Sequence, residues 1–396
     1  MPAVIGLLGM KGYEGPTLRN EAKKSYVTML DGVYPGATDE FLRLEETAQA
    51  WYRKRAMERI FDSVEASGKA GIVENHTALY TGEYDDEGNL EITVSQEELR
   101  YYTHIICLDR TSKPDVAIYA HQTYPDNLHP RKLVVRKKTF TSNLRDICFE
   151  EHTHLATLGT SYLLEAKLSN LLRDLESHNY LQNVQKANEH LERLIAGRTS
   201  LTYKVLLFNA DTVLTGDHYL SLFWQNVSID ANDTKEYPLL ESGLHMDDES
   251  YQYFKSRQAM LLCEESFDDA EFKVVCEQTA KKISIRPEFI NLLRKVRSTI
   301  NACCILMTCG PPEFWESILE NEGLSGDIDV IGGARLSDGF VVTPHLMSQL
   351  AVTLKNKYNM QIWAFGDEND AEMLQHADLV TINVGKAVKP ESEAKD

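Results

Sequence analysis

No stretch of the chain is apolar for the ~20 residues that a membrane-crossing helix needs. The first residues, MPAVIGLLGM, carry no basic cluster ahead of an apolar run. They read as a first buried strand rather than a secretory leader. Cysteine pairs at metal-ligand spacing are missing too. The seven cysteines (Cys107, Cys148, Cys263, Cys276, Cys303, Cys304 and Cys309) are odd in number and scattered, mostly in apolar surroundings such as IICLD and ACCILMTC. They read as small buried hydrophobes in a reducing, cytoplasmic compartment. Positive charge is scarce: 41 Lys and Arg face 60 Asp and Glu, a formal net charge of −19. Such a chain repels phosphate backbones and anionic bilayers. That argues against nucleic acid and membrane as partners and leaves a small molecule as the expected ligand. There is no internal repeat, and nothing in the sequence sets an oligomeric state.

A length of 396 residues predicts two domains. In the first part AVIGLLG, AGIVENH and HIICLD read as buried parallel strands. Between the first two, FLRLEETAQAWYRKRAMERIFDSVEASG repeats its apolar residues at helical spacing and ends at Gly68. From Ser161 to Ala196 the pattern is wholly helical, consistent with two helices. They form either a connector between domains or a surface hairpin of the first. Strand ends recur at VLLFNAD, CCILMTCG, DVIGGARL and IWAFGDEND. The fold class is therefore α/β, with two Rossmann-like three-layer domains. The expected limits are 1–159, a helical connector over 160–200, a second domain over 201–388 with a helical cap at about 215–300, and a flexible tail over 389–396.

The first strand leads into GMKGYEGPT. A phosphate-binding loop reads G-x-x-x-x-G-K-[ST]. Here Gly9 and Gly15 bracket five residues, Pro16 stands in the lysine position and Thr17 in the hydroxyl position. Proline supplies neither an N–H nor a cation for phosphate, though it suits a first helical turn. Lys11 lies inside the loop. Residues 4–158 resemble a P-loop nucleoside- or nucleotide-kinase-like module, and fungal proteins that join such a module to a haloacid dehalogenase-like domain share this layout. The resemblance implies a degenerate kinase shell that binds no ATP. The basic run HPRKLVVRKK (His129 to Lys138) reads as a lid for phosphate or as a solvated positive face. In EEHTHL the i, i+2 spacing of His152 and His154 does not put both on one helix face, which argues against a metal site there.

The strand ends of the second half, from about Lys204 to Gly385, resemble the haloacid dehalogenase superfamily of phosphohydrolases. The resemblance implies a Rossmann-like core with a cap inserted between the first two motifs, and a magnesium site at the strand ends. In FNADTVL, Asn209 stands at the nucleophile and Asp211 at the acid/base aspartate. Thr308 of MTCG stands at the phosphoryl-holding hydroxyl, and Met347 at the place of the lysine, with Lys355 and Lys357 further along. GDEND supplies Asp367 and Asp370, one residue tighter than the common spacing, with Glu372 nearby. A carboxylate attacks phosphorus to give an acyl phosphate, whereas a carboxamide is neutral and a poor nucleophile. Hard cations also favour carboxylate oxygens over an amide.

Three readings follow. The first is metal-independent isomerisation, cyclisation or a pericyclic step on a largely apolar metabolite. Asn209, Asp211 and Thr308 are then the catalytic candidates, and Met347, Asp367, Phe223, Trp224 and Tyr251 line an aromatic cleft under the cap. It takes no cofactor. The second is a residual phosphohydrolase using Mg²⁺, with Asp211, Asp367 and Asp370 as candidate ligands. The third is a pseudoenzyme that binds a metabolite or regulates a partner.

Overall fold

The computed structural model describes residues 3–9, 43–75, 96–109, 144–159, 164–177, 179–196, 203–215, 222–224, 249–297, 302–326 and 328–382. The chain divides into two compact units, Met1–His178 and Asn179–Asp396. Among the described residues no helix is long and apolar enough to cross a membrane. The glycine loop with Lys11, Gly15, Pro16 and Thr17, the basic run from His129 to Lys138 and the tail over 389–396 lie outside the described residues.

The first unit contains β1 (Val4–Gly9), α1 (Glu46–Ser67), β2 (Gly71–Asn75), α2 (Gln96–Leu99), β3 (His104–Asp109), β4 (His154–Gly159) and α3 (Leu164–Ser177). Its strands form one parallel sheet in the order β2-β1-β3-β4. Met57, Ile60 and Val64, spaced at helical intervals on α1, bury against Val4, Val73 and Ile105 of the sheet. Gly68 ends α1 in a left-handed conformation (φ 65°), where its N–H reaches back to the Val64 and Glu65 carbonyls. Strand β4 was not expected from the sequence, because its short run HLATLG follows the polar EEHT. His152 sits in the turn before β4, and the His154 ring stacks on His104 at 4.8 Å across the strand pair.

The second unit begins with α4 (Tyr180–Ala196), β5 (Lys204–Asn209) and the short α5 (Ala210–Val213). Next come α6 (Glu249–Ser266), α7 (Asp269–Ala280), α8 (Pro287–Arg297), β6 (Ala302–Met307), α9 (Pro312–Asn321) and β7 (Ile328–Ile331). It closes with α10 (Pro344–Asn356), β8 (Gln361–Gly366), α11 (Ala371–Leu374) and β9 (Leu379–Ile382). Its sheet is parallel, in the order β7-β6-β5-β8-β9. Alternate residues feed two cores, as the period of a strand dictates. Leu206, Phe208, Cys304 and Leu306 meet Phe272 and Cys276 of α7, Leu293 of α8, and Phe314, Trp315 and Ile318 of α9. Val205, Leu207, Cys303 and Ile305 meet Ala187 and Leu191 of α4 and Leu346, Leu350 and Leu354 of α10.

Two expected segments, 160–200 and the described part of 215–300, fall on these elements as follows. The stretch 160–200 is shared between the units, with α3 in the first and α4 in the second. Helix α4 is part of the second core because Asn183, Ala187 and Leu191 recur at i, i+4 and are buried. Asn183 donates to the Val341 carbonyl at 2.9 Å and accepts from the Val341 N–H at 2.8 Å, fully out of solvent. Asn183→Ala strands both backbone groups, so we expect a loss of roughly 2–3 kcal/mol in urea unfolding. The stretch 215–300, expected to form a cap, supplies α7 and α8 to the layer against the sheet. Apolar periodicity alone does not separate a lid from a core layer.

Candidate functional site

In parallel α/β sheets, ligands meet the carboxyl ends of strands where successive connections leave in opposite directions. Here β5 lies between β6 and β8. The ends carrying Asn209, Thr308 and Asp367 are therefore neighbours. The structure brings Asn209, Asp211, Thr308 and Asp370 into one hydrogen-bonded group. Asn209 ends β5 and caps α5, its Oδ1 accepting from the Asp211 N–H at 3.1 Å. Its Nδ2 donates to Asp370 Oδ1 at 2.6 Å. Asp370 Oδ2 accepts from the Thr212 hydroxyl at 3.0 Å and from the Asp367 N–H at 2.8 Å. On the other side, Thr308 Oγ1 donates to Asp211 Oδ1 at 2.6 Å, and the Cys309 N–H donates to Asp211 Oδ2 at 2.7 Å. The Gly310 N–H in turn donates to Thr308 Oγ1 at 3.0 Å.

The chain of bonds ties the ends of β5, β6 and β8 together. It is also largely buried. Thr308 is fully out of solvent, and Asn209 and Asp370 are each 4% exposed. Burial pushes the Asp370 carboxyl above its ordinary range, against the opposing pull of the hydrogen bonds from Asn209, the Asp367 N–H and Thr212. Gly366 makes room for this carboxyl, since a Cβ there would lie 2.6 Å from Asp370 Oδ2. Burial, then the Asp211 and Asp370 charges, push the Cys309 thiol well up, so it is no thiolate nucleophile.

The carboxylates at the strand ends are engaged in hydrogen bonds within the protein. Both oxygens of Asp211 and both of Asp370 accept hydrogen bonds. Asp367 spends its oxygens on Asn369, through the N–H at 2.8 Å and Nδ2 at 3.3 Å. Asn209 presents an N–H donor where a cation needs an oxygen. Among the described residues no group of three or more His, Cys, Asp or Glu is arranged to hold a metal.

The other expected site residues lie elsewhere. Met347 is fully buried on the inner face of α10, in the cluster that contains Leu207, Leu346 and Ile362. Its helical spacing from Leu350, Ala351 and Leu354 is that of a core stripe. Phe223 and Trp224 are packed edge to face at 5.2 Å within the core that contains Phe272. Among the described residues both belong to that buried cluster. Tyr251, half-buried on α6, stacks on Phe254. Lys355 is engaged away from the strand ends: its Nζ reaches the His376 carbonyl and Asp378 Oδ1, and Asp378 Oδ2 accepts from the N–H of Ile362 at the start of β8. That is the opposite end of a six-residue strand from Asp367, ~17–20 Å away. Lys357 pairs with Glu192, and Glu372 with His345. Sequence reading missed Thr212 and the Cys309 N–H. Thr212 was the findable one, since it directly follows Asp211.

No protein-family model matches the chain, and no curated protein matches it. Among solved structures, a HAD family hydrolase from Deinococcus radiodurans R1, with bound phosphate and sodium, is similar at 13% identity. The match covers 46% of this chain and 80% of that one at a TM-score of 0.24. The α/β assignment stands on the two parallel sheets themselves.

Proposed function

We propose that the second unit is a haloacid dehalogenase-like pseudophosphatase, a domain that binds or regulates and performs no phosphoryl transfer. The Asn209–Asp370 hydrogen bond carries this reading. At the position where the superfamily resemblance puts a nucleophilic carboxylate, the side chain is a neutral amide, buried and already bonded on both ends. An amide in that state forms no acyl phosphate. The strand-end residues have become a clasp that holds three strands in register. The first unit is, in the same reading, a degenerate kinase-like module, supported by its parallel sheet and by Pro16 in the lysine position.

The test is a screen of phosphate monoesters with the full chain and millimolar Mg²⁺. Release of phosphate at the buffer rate is expected, and Mg²⁺-dependent turnover abolished by Asp211→Asn overturns the proposal. A second reading is metal-independent isomerisation or cyclisation of a small metabolite. It draws on Asp211 and Asp367, which keep partial solvent access beside the clasp. Product analysis after incubation with apolar carbonyl compounds separates the two: an isomer formed by wild type and not by Asp211→Asn favours conversion over binding.

A further inference from the structure

His345 sits in the first turn of α10, and residues that open three other helices gather around it: Tyr180 of α4, Glu249 of α6 and Glu372 of α11. Its Nδ1 lies 3.1 Å from Glu372 Oε2 and its Nε2 3.3 Å from Glu249 Oε1. The Gln349 amide nitrogen lies 2.9 Å from the same Nε2 and donates to the Tyr180 hydroxyl at 3.0 Å. Two nitrogens at that separation bond only if one accepts, and an amide nitrogen does not accept. The arrangement is therefore that of a neutral ring, with its one proton on Nδ1 and donated to Glu372. It strands two oxygens: Glu249 Oε1 and Gln349 Oε1 are buried without a hydrogen-bond partner among the described residues. Buried acceptors in that state cost free energy.

We propose that His345 is a proton-operated latch: one proton added at Nε2 gives both stranded oxygens a partner and fastens the start of α6 to α10 and α11. The new Nε2–H donates toward Glu249 Oε1. The Gln349 amide turns over, so that its Oε1 accepts from the ring and from the Tyr180 hydroxyl. The Nδ1–H keeps Glu372, and the imidazolium then stands between two carboxylates, in charge-assisted bonds to each. A neutral ring has one N–H and serves only one of the two. The side chain is 30% exposed and lines a cavity of about 520 Å³ with Ser348, Gln349, Glu372 and His376, so protons reach it from solvent. The His376 ring across that cavity is engaged at 3.3 Å by the Gln375 amide. Asp370 immediately precedes α11, so the latch joins α6 to the helix that leaves the strand-end clasp. Linkage sets the sign. The added proton is held better with α6 in place than with its first turn released, so that turn is held more firmly as pH falls.

Magnetic resonance of the full chain, with isotope-labelled histidine, tests this. Proton–nitrogen couplings across the ring read which nitrogen carries the proton, and His345→Gln picks out the His345 signals among the twelve histidines. The proton is expected on Nδ1 at about pH 8 and on both nitrogens at about pH 5.5. Hydrogen exchange, corrected for its intrinsic pH dependence, is the second readout. Protection of the first turn of α6 is expected to rise at least about threefold from about pH 8 to about pH 5.5 in wild type, and to stay level in His345→Gln and Glu249→Gln. A neutral ring with its proton on Nε2, wild-type protection that does not change with pH, or the same rise in both variants overturns the proposal. Circular dichroism verifies that the variants keep the fold, and the ring-proton assignment in wild type decides the question even where one does not.

Discussion

Asn209→Asp lowers the melting temperature at pH 7.5 by roughly 6–12 °C and does not create a phosphatase. The amide now donates to Asp370 Oδ1 at 2.6 Å. A carboxylate in its place sets two negative oxygens in contact where one already sits above its ordinary pKa through burial. Leaving a buried charge unpaired costs about 3 kcal/mol or more, and each kcal/mol shifts a unit of this size by about 2–4 °C. The sign with pH follows from the raised pKa of Asp370. The native state holds that proton more tightly than the unfolded chain, so acidification relieves the repulsion and the deficit shrinks toward pH 5. Millimolar Mg²⁺ recovers part of the loss in the variant, because a hard cation takes the two oxygens, and leaves wild type unmoved. Scanning calorimetry at two pH values, with and without Mg²⁺, reads all three effects. An unchanged melting temperature at pH 7.5 means that the clasp contributes nothing.

Glu313→Gln stabilises the chain above pH 7. Glu313 opens α9 in a crowded acidic corner beside Asp338 and Glu316, and its Oε2 is buried without a hydrogen-bond partner. Arg335 offers incomplete relief, since its guanidinium is held by Glu264 at 2.8 Å and Asp269 at 2.9 Å and lies 4.8 Å from the Phe272 ring. Burial first, then the Asp338 charge, push the Glu313 carboxyl up to about 7 from 4.5. The folded state therefore binds the proton more tightly than the unfolded state. Stability contributed by this group is complete below pH 4.5 and lost as pH rises through 7. The shift corresponds to about 3 kcal/mol at most, so removing the charge returns roughly 1–3 kcal/mol at pH 8. At pH 4.5 the two proteins differ little. Melting curves across that range verify the prediction, and a variant that gains nothing at pH 8 refutes the buried charge.

Much of the architecture was legible along the chain. VIGLLG, GIVEN, HIICLD, KVLLFN, ACCILM and QIWAFG are short apolar runs bounded by polar or turn residues, and each is a strand. The helix ending at Gly68 was equally plain, because apolar spacing and a glycine stop agree. Strands β4 and β9 escaped notice. HLATLG sits behind a polar run, and LVTI is an exposed edge that owes its place to pairing with β8 rather than to burial.

The candidate site divides in the same way. Residue type and order along the chain determined that Asn209, Asp211, Thr308, Asp367 and Asp370 fall at or just after strand ends, and that a carboxamide ends β5. Those are local properties. Only the tertiary structure decided that Asn209 bonds to Asp370 and Thr308 to Asp211. Asn209 and Asp370 are 161 residues apart, and Thr308 and Asp211 97 apart, so their pairing depends on which strands become neighbours. It also decided that Met347, Phe223 and Trp224 are core. An apolar side chain at helical spacing looks the same whether its face meets a ligand or a sheet, and the difference lies in what the fold places opposite it.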